Sequence, residues 1–511
     1  MHFFPGLLVG FGVLTIIISI FLNSKVTPVL PPASHFPANL VCSSGNRPSN
    51  SPYFAGWNTW FHPERVSSSG QFREWNILHH LGGNGPWIQR TTPNSIENSL
   101  PDKCEVEQVH MLSRHSERYP TRNAGERHLA LVRRLKDLEV PLNGSLSFFN
   151  NWTYFTQVPE RDFDQLTSTG PYAGTLGAFT TGTRFRTRYG HLLPSQGIKT
   201  KIWASDSQRV IETAKYFAAG VFGIDWEQMQ RAEVEVVPET LDQHTNTLTP
   251  GDTCVRYIED TALGHDYGRN MLAVFQNAYI PLIAHRLVDE ENNQAVGNLS
   301  ALEVYGMQEM CGFESIVRGT SPWCELFTPK EWEHFEYARD LLHYYRGGPG
   351  NKYAAAMGLL WLHATGQLLQ AGPENGTLFF SFVHDGDIAP MLTVLDLFPD
   401  PKYDPHLPVT HVAEDRVWRV STVMPMGGRI SFERLRCSGS DNVSNGTYVR
   451  INVNDDIVPL PGCSSGPGES CPLEKFTARI SRKREELGGF AEVCKTSGLD
   501  TGITFLKQPG F

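Results

Sequence analysis

The chain has 511 residues, 40% of them apolar and 19% charged, with a net charge of −10. One compact core rarely holds a chain this long, so two domains are expected. The acidic balance argues against a nucleic-acid partner. No internal repeat and no metal-type Cys/His spacing occurs, so neither a metal nor another cofactor is expected.

Phe3 to Leu22 is almost wholly apolar, and no lysine, arginine or acidic residue precedes Lys25. Residues 1–25 read as a cleaved signal peptide or an uncleaved signal-anchor. Length and the lack of a clear small-x-small cleavage site favour the anchor, and both readings stay open. Contact with a membrane is expected only through residues 3–22, if uncleaved. Six N-x-[ST] sequons, at Asn143, Asn151, Asn298, Asn375, Asn442 and Asn445, point to a glycoprotein of the secretory pathway, extracellular or at the cell surface. The nine cysteines are Cys42, Cys104, Cys254, Cys311, Cys324, Cys437, Cys463, Cys471 and Cys494. Most should pair in that compartment. Spacing suggests two local bridges, Cys311–Cys324 and Cys463–Cys471. The odd count leaves at least one cysteine over.

Residues 26–100 are rich in Pro, Ser, Asn and Gly. They read as a linker followed by an irregular arm lying on the main domain, with Trp57, Trp60, Trp75 and Trp87 as packing groups. Val106 to Leu112 then alternates as a buried strand and runs into Met111 to Thr121, MLSRHSERYPT. His115 is thereby set between Arg114 and Arg118 at a strand's carboxyl end, where open α/β sheets bind ligands. Forked guanidiniums match phosphate oxygens, and a neutral imidazole beside them is a nucleophile suited to phosphorus. Arg-His-x-x-Arg-x-Pro should arise by chance in roughly one such sequence in 300, so the motif alone is only suggestive.

Ala124 to Leu138 has helical spacing, with Arg127, Arg133, Arg134 and Lys136 as a solvated face. Asn143 to Gln165 is aromatic and loop-like. Leu166 to Tyr189 is Gly- and Thr-rich, then basic at Arg184, Arg186 and Arg188, and should include a helix packed near the motif. Lys199 to Ala204 predicts a short strand, and Gln208 to Val221 a helix capped by Ser205 or Asp206. Arg209 falls in that helix's first turn, where the helix N-terminus also favours an anion. An ordinary surface arginine is the plainer alternative for it. Val234 to Val237 is a further strand. Residues 250–345 are helical in pattern and read as an inserted domain. Tyr353 to Leu369 is a helix, and Thr377 to Val383 a fully apolar strand delivering His384-Asp385-Gly386-Asp387. A mere turn is the competing reading of that cluster. Arg429 to Arg436 and Tyr448 to Val453 close the sheet, and the tail holds a charged helix at Leu473 to Leu487.

These elements imply an α/β fold: a mainly parallel central sheet flanked by helices, with a smaller inserted helical domain. The expected division is 101–249 with 346–470 as a discontinuous catalytic domain, 250–345 as the helical domain, and 471–511 as a C-terminal tail.

Arg114-His115-x-x-Arg118-x-Pro120, then Arg209, then His384-Asp385, in this order, resembles the histidine acid phosphatase family, and within it the fungal secreted acid phosphatases and phytases. The likeness runs from about residue 100 to 494. It includes Gly170-Pro171-Tyr172-Ala173-Gly174-Thr175, Arg188-Tyr189-Gly190 and Val453-Asn454-Asp455. The resemblance implies a phosphoglycerate-mutase-like core. It also implies Cys104–Cys437 and Cys254–Cys494 beside the two local bridges, with Cys42 left over. Loops so long would constrain the unfolded chain by about 5 kcal/mol each. It implies His115 as the nucleophile forming a phosphohistidine and Asp385 as the general acid. Arg114, Arg118, Arg209 and His384 would bind phosphate, with no cofactor.

The family usually has Gly where this chain has Ser116. Pro141 to Gln165 has no lysine and only Arg161, so a broad-specificity acid phosphomonoesterase of small-molecule esters is favoured, with phytate within its range. Ser116 alone leans toward the other class, a phosphate-ester-binding surface glycoprotein without turnover. A cytosolic phosphoglycerate-mutase-like enzyme is disfavoured by the leader, sequons and cysteines. Homo-oligomerisation is left open.

Overall fold

In the computed structural model the described residues are 75–88, 98–195, 197–439, 445–496 and 502–510. The apolar leader, Cys42, Trp57, Trp60 and Asn442 lie outside them. Eight strands form one sheet: β1 (Cys104–Arg114), β2 (Thr200–Ser205), β3 (Ala232–Val237), β4 (Leu378–Val383), β5 (Arg429–Cys437), β6 (Gly446–Val453), β7 (Asp456–Ile457) and β8 (Cys471–Pro472). Their order is β3-β2-β4-β1-β5-β6-β7, with β8 also on β6.

Composition explains the positions. β4 is Leu-Phe-Phe-Ser-Phe-Val and wholly buried, as suits a strand covered on both faces. β3 lies at the edge, with Glu233 and Glu235 interrupting its apolar residues and Glu235 paired to Lys201 at 2.6 Å. The sheet is mixed rather than mainly parallel. β3, β2, β4 and β1 run parallel, whereas β5 joins β1 antiparallel and β6, β7 and β8 follow antiparallel. The short link from β5 to β6 permits a hairpin, and the long links among the first four strands carry helices.

In those links lie α1 (Arg122–Lys136), α2 (Gly174–Tyr189), α3 (Gln208–Phe222), α4 (Tyr267–His285), α5 (Ala301–Arg318), α6 (Pro329–Gly347) and α7 (Ala354–Ala371); α8 (Asp385–Val394) follows β4, and α9 (Leu473–Leu487) follows β8. The aromatic stretch 143–165 is less loop-like than expected, holding a 3-10 run at Gly144–Asn151 and a turn of helix at Pro159–Asp162. Ser207, not Ser205 or Asp206, precedes α3, and its hydroxyl goes to Glu239 at 3.2 Å instead of capping the helix. Ser205 closes β2.

Side chains of β4 alternate between two cores. Phe380 and Phe382 pack with Phe185, Val210 and Phe217 of α2 and α3. Phe379 and Val383 belong to the other face, whose core continues through α7 and α8 into the helices of 250–347. Each fully buried side chain of this kind contributes about 1.5–3 kcal/mol. α2 crosses α3 closely at Gly182 and Gly220; a Cβ on Gly182 would lie 2.2 Å from the Phe217 carbonyl. Four disulfides join Cys104–Cys437, Cys254–Cys494, Cys311–Cys324 and Cys463–Cys471. The first crosslinks β1 to β5 directly at their paired ends. Among the described residues, no helix is long and apolar enough to cross a membrane.

Candidate active site

Strand register assembles the site. Arg114 pairs with Val383, and Ala204 with Phe382, so three parallel strands end level with one another. His115, His384 and the turn into α3 therefore leave the sheet side by side at its carboxyl edge. The His115 backbone is held from two sides. Its N–H donates to the Val383 carbonyl at 2.9 Å, and its carbonyl accepts from Gly427 N–H at 2.8 Å. The Ser116 N–H donates to Thr213 Oγ1 at 3.0 Å, which in turn donates to the Arg209 carbonyl at 2.6 Å. That chain ties the motif loop to the first turns of α3.

The His115 ring is buried, with Nδ1 2.8 Å from the Ser116 carbonyl. A carbonyl only accepts, so Nδ1 carries the proton and Nε2 keeps its lone pair. Burial, and then Arg114, Arg209 and Arg118, hold the imidazole well below its usual pKa. It stays neutral under acid conditions that would protonate a free histidine.

The surrounding guanidiniums are short of counter-charge. Arg114 is fully buried. It donates to the carbonyls of Gly83 and Met424 at 3.2 and 2.8 Å and meets Asp385 at 2.9 Å. Arg118 donates to the Tyr119 carbonyl at 2.8 Å, and burial with the neighbouring Arg209 and Arg114 pushes it down to about 9. Arg209 donates to His384 Nδ1 at 3.3 Å. Buried cations normally have full partners. Here Asp385 is the one carboxylate ion-paired with these three arginines among the described residues. The arrangement is suited to a dianion.

Asp385 opens α8 directly after β4, so the charged cluster is a helix start and not a bare turn. The His384 N–H donates to Asp387 Oδ2 at 3.0 Å. Burial alone would favour the neutral acid at Asp385, but Arg114, with Arg346 at 3.9 Å, outweighs it and holds the carboxyl well below the usual range. The His384 ring stands edge-on to His115, 5.7 Å between centroids. Its Nδ1 accepts from Arg209, which leaves the proton on Nε2 for Glu239 at 2.8 Å.

Arg114, His115, Arg118, Arg209, His384 and Asp385 thus converge. The flanking basic residues do not. Arg134 pairs with Glu303, Arg127 with Glu309, and Arg188 with Glu433. Three further residues reach the site from α6, at helical spacing i, i+4, i+7: Arg339, His343 and Arg346. Arg339 donates to Gly82 O at 3.0 Å, Asn84 Oδ1 at 3.2 Å and His343 Nε2 at 3.0 Å. A basic stripe at that spacing, on a helix otherwise rich in core residues, was the available signal. The arm contributes as well. Gly82 and Gly83 have φ of +53° and +78°, and their carbonyls receive Arg339 and Arg114. A Cβ on Gly82 would meet Arg339 Cβ at 2.3 Å, so both the turn and the close approach require glycine there. Trp87 stacks on the Arg429 guanidinium at 4.6 Å, and its N–H donates to Glu117 at 2.7 Å. Among the described residues, no group of three or more His, Cys, Asp or Glu is placed to hold a metal ion.

The chain resembles known proteins over most of its length. A phytase of Candida albicans is 34% identical over 85% of this chain and 90% of its own. An acid phosphatase of Komagataella pastoris is 35% identical, covering 86% and 90%. The constitutive acid phosphatase of Saccharomyces cerevisiae is 31% identical, covering 84% and 89%. The crystal structure of the phytase from D. castellii superposes with a TM-score of 0.77 at 29% identity, over 86% of this chain and 93% of that one. The family model for the histidine phosphatase superfamily, branch 2, matches residues 105–454. The chain is a member of that branch of the histidine phosphatase superfamily.

Proposed function

We propose that this chain is an acid phosphomonoesterase that transfers the phosphoryl group to His115 and then to water. The observation that carries this reading is the His115 tautomer: Nδ1–H is engaged by Ser116, and Nε2 keeps its lone pair among Arg114, Arg118 and Arg209. Those arginines, with His384 beside Arg209, form the phosphate-binding set. They neutralise charge on the equatorial oxygens as the ester bond breaks.

Asp385 protonates the leaving alcohol and afterwards takes a proton from the attacking water. In the free protein it is ionised. A bound dianion offsets Arg114 and Arg346 and so raises the affinity of Asp385 for a proton. Acidic solution then supplies that proton, while His115 remains neutral. Activity should therefore peak in acid and fall as Asp385 deprotonates in the complex.

The substrates are small phosphate monoesters of broad type. Stretch 141–165, with no lysine and only Arg161, supports that breadth; phytate falls within it in acid, where its phosphates lose fewer protons. The chain enters the secretory pathway and acts outside the cell or at its surface. The four disulfides and the exposed sequon asparagines Asn143, Asn151, Asn298, Asn375 and Asn445 support this. The helical segment 250–345 serves as the outer wall of the catalytic domain, and α6, which runs past it to Gly347, supplies Arg339, His343 and Arg346.

The test is hydrolysis of p-nitrophenyl phosphate from about pH 2 to 8, beside His115→Ala. An alkaline quench would retain a base-stable phosphohistidine. Acid-peaked turnover and a labelled enzyme, both absent in the variant, are expected. A folded protein without turnover, or turnover indifferent to His115→Ala, would overturn the reading.

A further inference from the structure

A cavity of about 570 Å³ opens in the helical segment and shares no residue with the arginine site. Its walls come from the second half of α4, the turn Arg286–Glu290 and the approach to α5. They include Gln276, Ile280, His285, Asp289, Leu299 and Asn298. The volume lies within the range of ligand-sized pockets, about 300–1,000 Å³.

Two observations say what fills it. Gln276 is only 4% exposed, and its Nε2 has no hydrogen-bond partner among the described residues. A buried amide donor left unpaired is costly, so an acceptor is expected in the cavity. Asn298, the exposed asparagine of an Asn-Leu-Ser sequon, lies on the same wall. The Ser300 hydroxyl donates to the Glu303 carboxylate at 2.8 Å and accepts from the Glu303 N–H at 3.3 Å, and it is not paired with Gln276 Nε2.

We propose that the cavity is the seat of the first sugars of an N-linked glycan on Asn298. The inference rests on the secretory reading above. In the modification, Asn298 Nδ2 bonds to C1 of an N-acetylglucosamine carried on a lipid pyrophosphate. The C1–O bond breaks, the pyrophosphate leaves with the electron pair, and the amide proton passes to a base. The acetamido carbonyl of the sugar is the acceptor that Gln276 lacks. Ile280 and Leu299 meet the apolar face of the sugar ring, and His285 and Asp289 supply polar groups for its hydroxyls.

The full chain, secreted from a eukaryotic host, is treated in its native state with an endoglycosidase that cuts between the two core N-acetylglucosamines. Release is followed site by site by peptide mass spectrometry. Asn298 should be released about tenfold more slowly than Asn375, with the difference lost on denaturation and largely lost in Gln276→Ala. Equal native rates would overturn the proposal. So would Asn298 bare while Asn375 and Asn445 carry sugar. Protection that disappears when a dimer is diluted to monomer would also overturn it, since a second copy would then be the cover. Sugar absent from every sequon would instead refute the secretory reading, and the proposal with it.

Discussion

Arg450 and Arg118 are both buried arginines of one sheet system, and their surroundings differ in kind. On the antiparallel side, Arg450 meets Glu433 at 2.7 Å, and Glu433 also takes Arg188 at 2.8 Å and the Tyr189 hydroxyl at 2.6 Å. Arg434 is likewise paired to Glu107. On the parallel side, Arg118 and Arg209 have a carbonyl and an imidazole as their hydrogen-bond partners. The same residue type thus performs two tasks. Where every arginine touches a carboxylate, even a shared one, the cluster holds strands and the arm together. Where arginines touch a carbonyl or an imidazole instead, a site for a dianion is left open.

The largest effect expected from this contrast is at the group the open cations surround. His115→Ala should lower kcat by about 10⁴-fold or more. The melting temperature should fall only slightly, because the neutral ring carries no charge and its removal opens a polar space that water can fill. A fall in stability with activity retained would mean that His115 is a packing residue.

Next comes a reciprocal pair. Arg450→Met leaves Glu433 buried beside fewer cations and should cost about 3–5 kcal/mol of stability, with kcat per folded molecule unchanged. Arg118→Met should do the opposite, lowering kcat by about 10²–10³-fold without loss of stability. Denaturant titration and steady-state kinetics on both variants decide it. If both variants lose stability alike, the distinction between paired and open arginines fails.

How much of this was legible follows from where the chemistry sits. Arg114-His115 and His384-Asp385 stand out because apolar strands end abruptly in charge, and a strand end is a fixed place in an α/β sheet. α8 was less visible, since Gly386 and Pro390 weaken its helical pattern. Arg339, His343 and Arg346 lie on a helix whose other residues read as core, more than two hundred positions after the motif. Gly82 and Gly83 act through backbone carbonyls, which no side-chain pattern reports. The hairpin of β5 and β6 was legible as strands, but not the direction of the sheet it extends.

A third prediction concerns pH. Burial pushes the Glu117 carboxyl up to about 7 from an ordinary 4.5, although the Trp87 N–H favours the anion. The folded protein keeps this proton where the unfolded chain loses it. The resulting stability is complete below pH 4.5 and is lost as pH rises through 7, worth up to about 3 kcal/mol. The protein should therefore be more stable at pH 4.5 than at about pH 7.5. In Glu117→Gln, which keeps an acceptor for Trp87, that difference should shrink. Unfolding curves at the two values check it, and a slope unchanged in the variant would locate the effect elsewhere.

The smallest expected effect is at the position where the chain departs from its family. Ser116 is not among the residues with positive φ, so the backbone there does not require glycine. Its N–H goes to Thr213 and its carbonyl to His115, and both bonds are independent of the side chain. Its hydroxyl lies beside two glycines: a Cβ on Gly427 would be 3.6 Å from it, and one on Gly177 would be 3.8 Å away. The added atoms of serine therefore occupy space that these neighbours leave. Ser116→Gly should change kcat/KM by less than about threefold and lower stability by about 0.4–1 kcal/mol through the freer unfolded chain. A rise in kcat/KM of about a hundredfold would show instead that the hydroxyl obstructs phosphate. The open arginines would then be only partly usable in this chain.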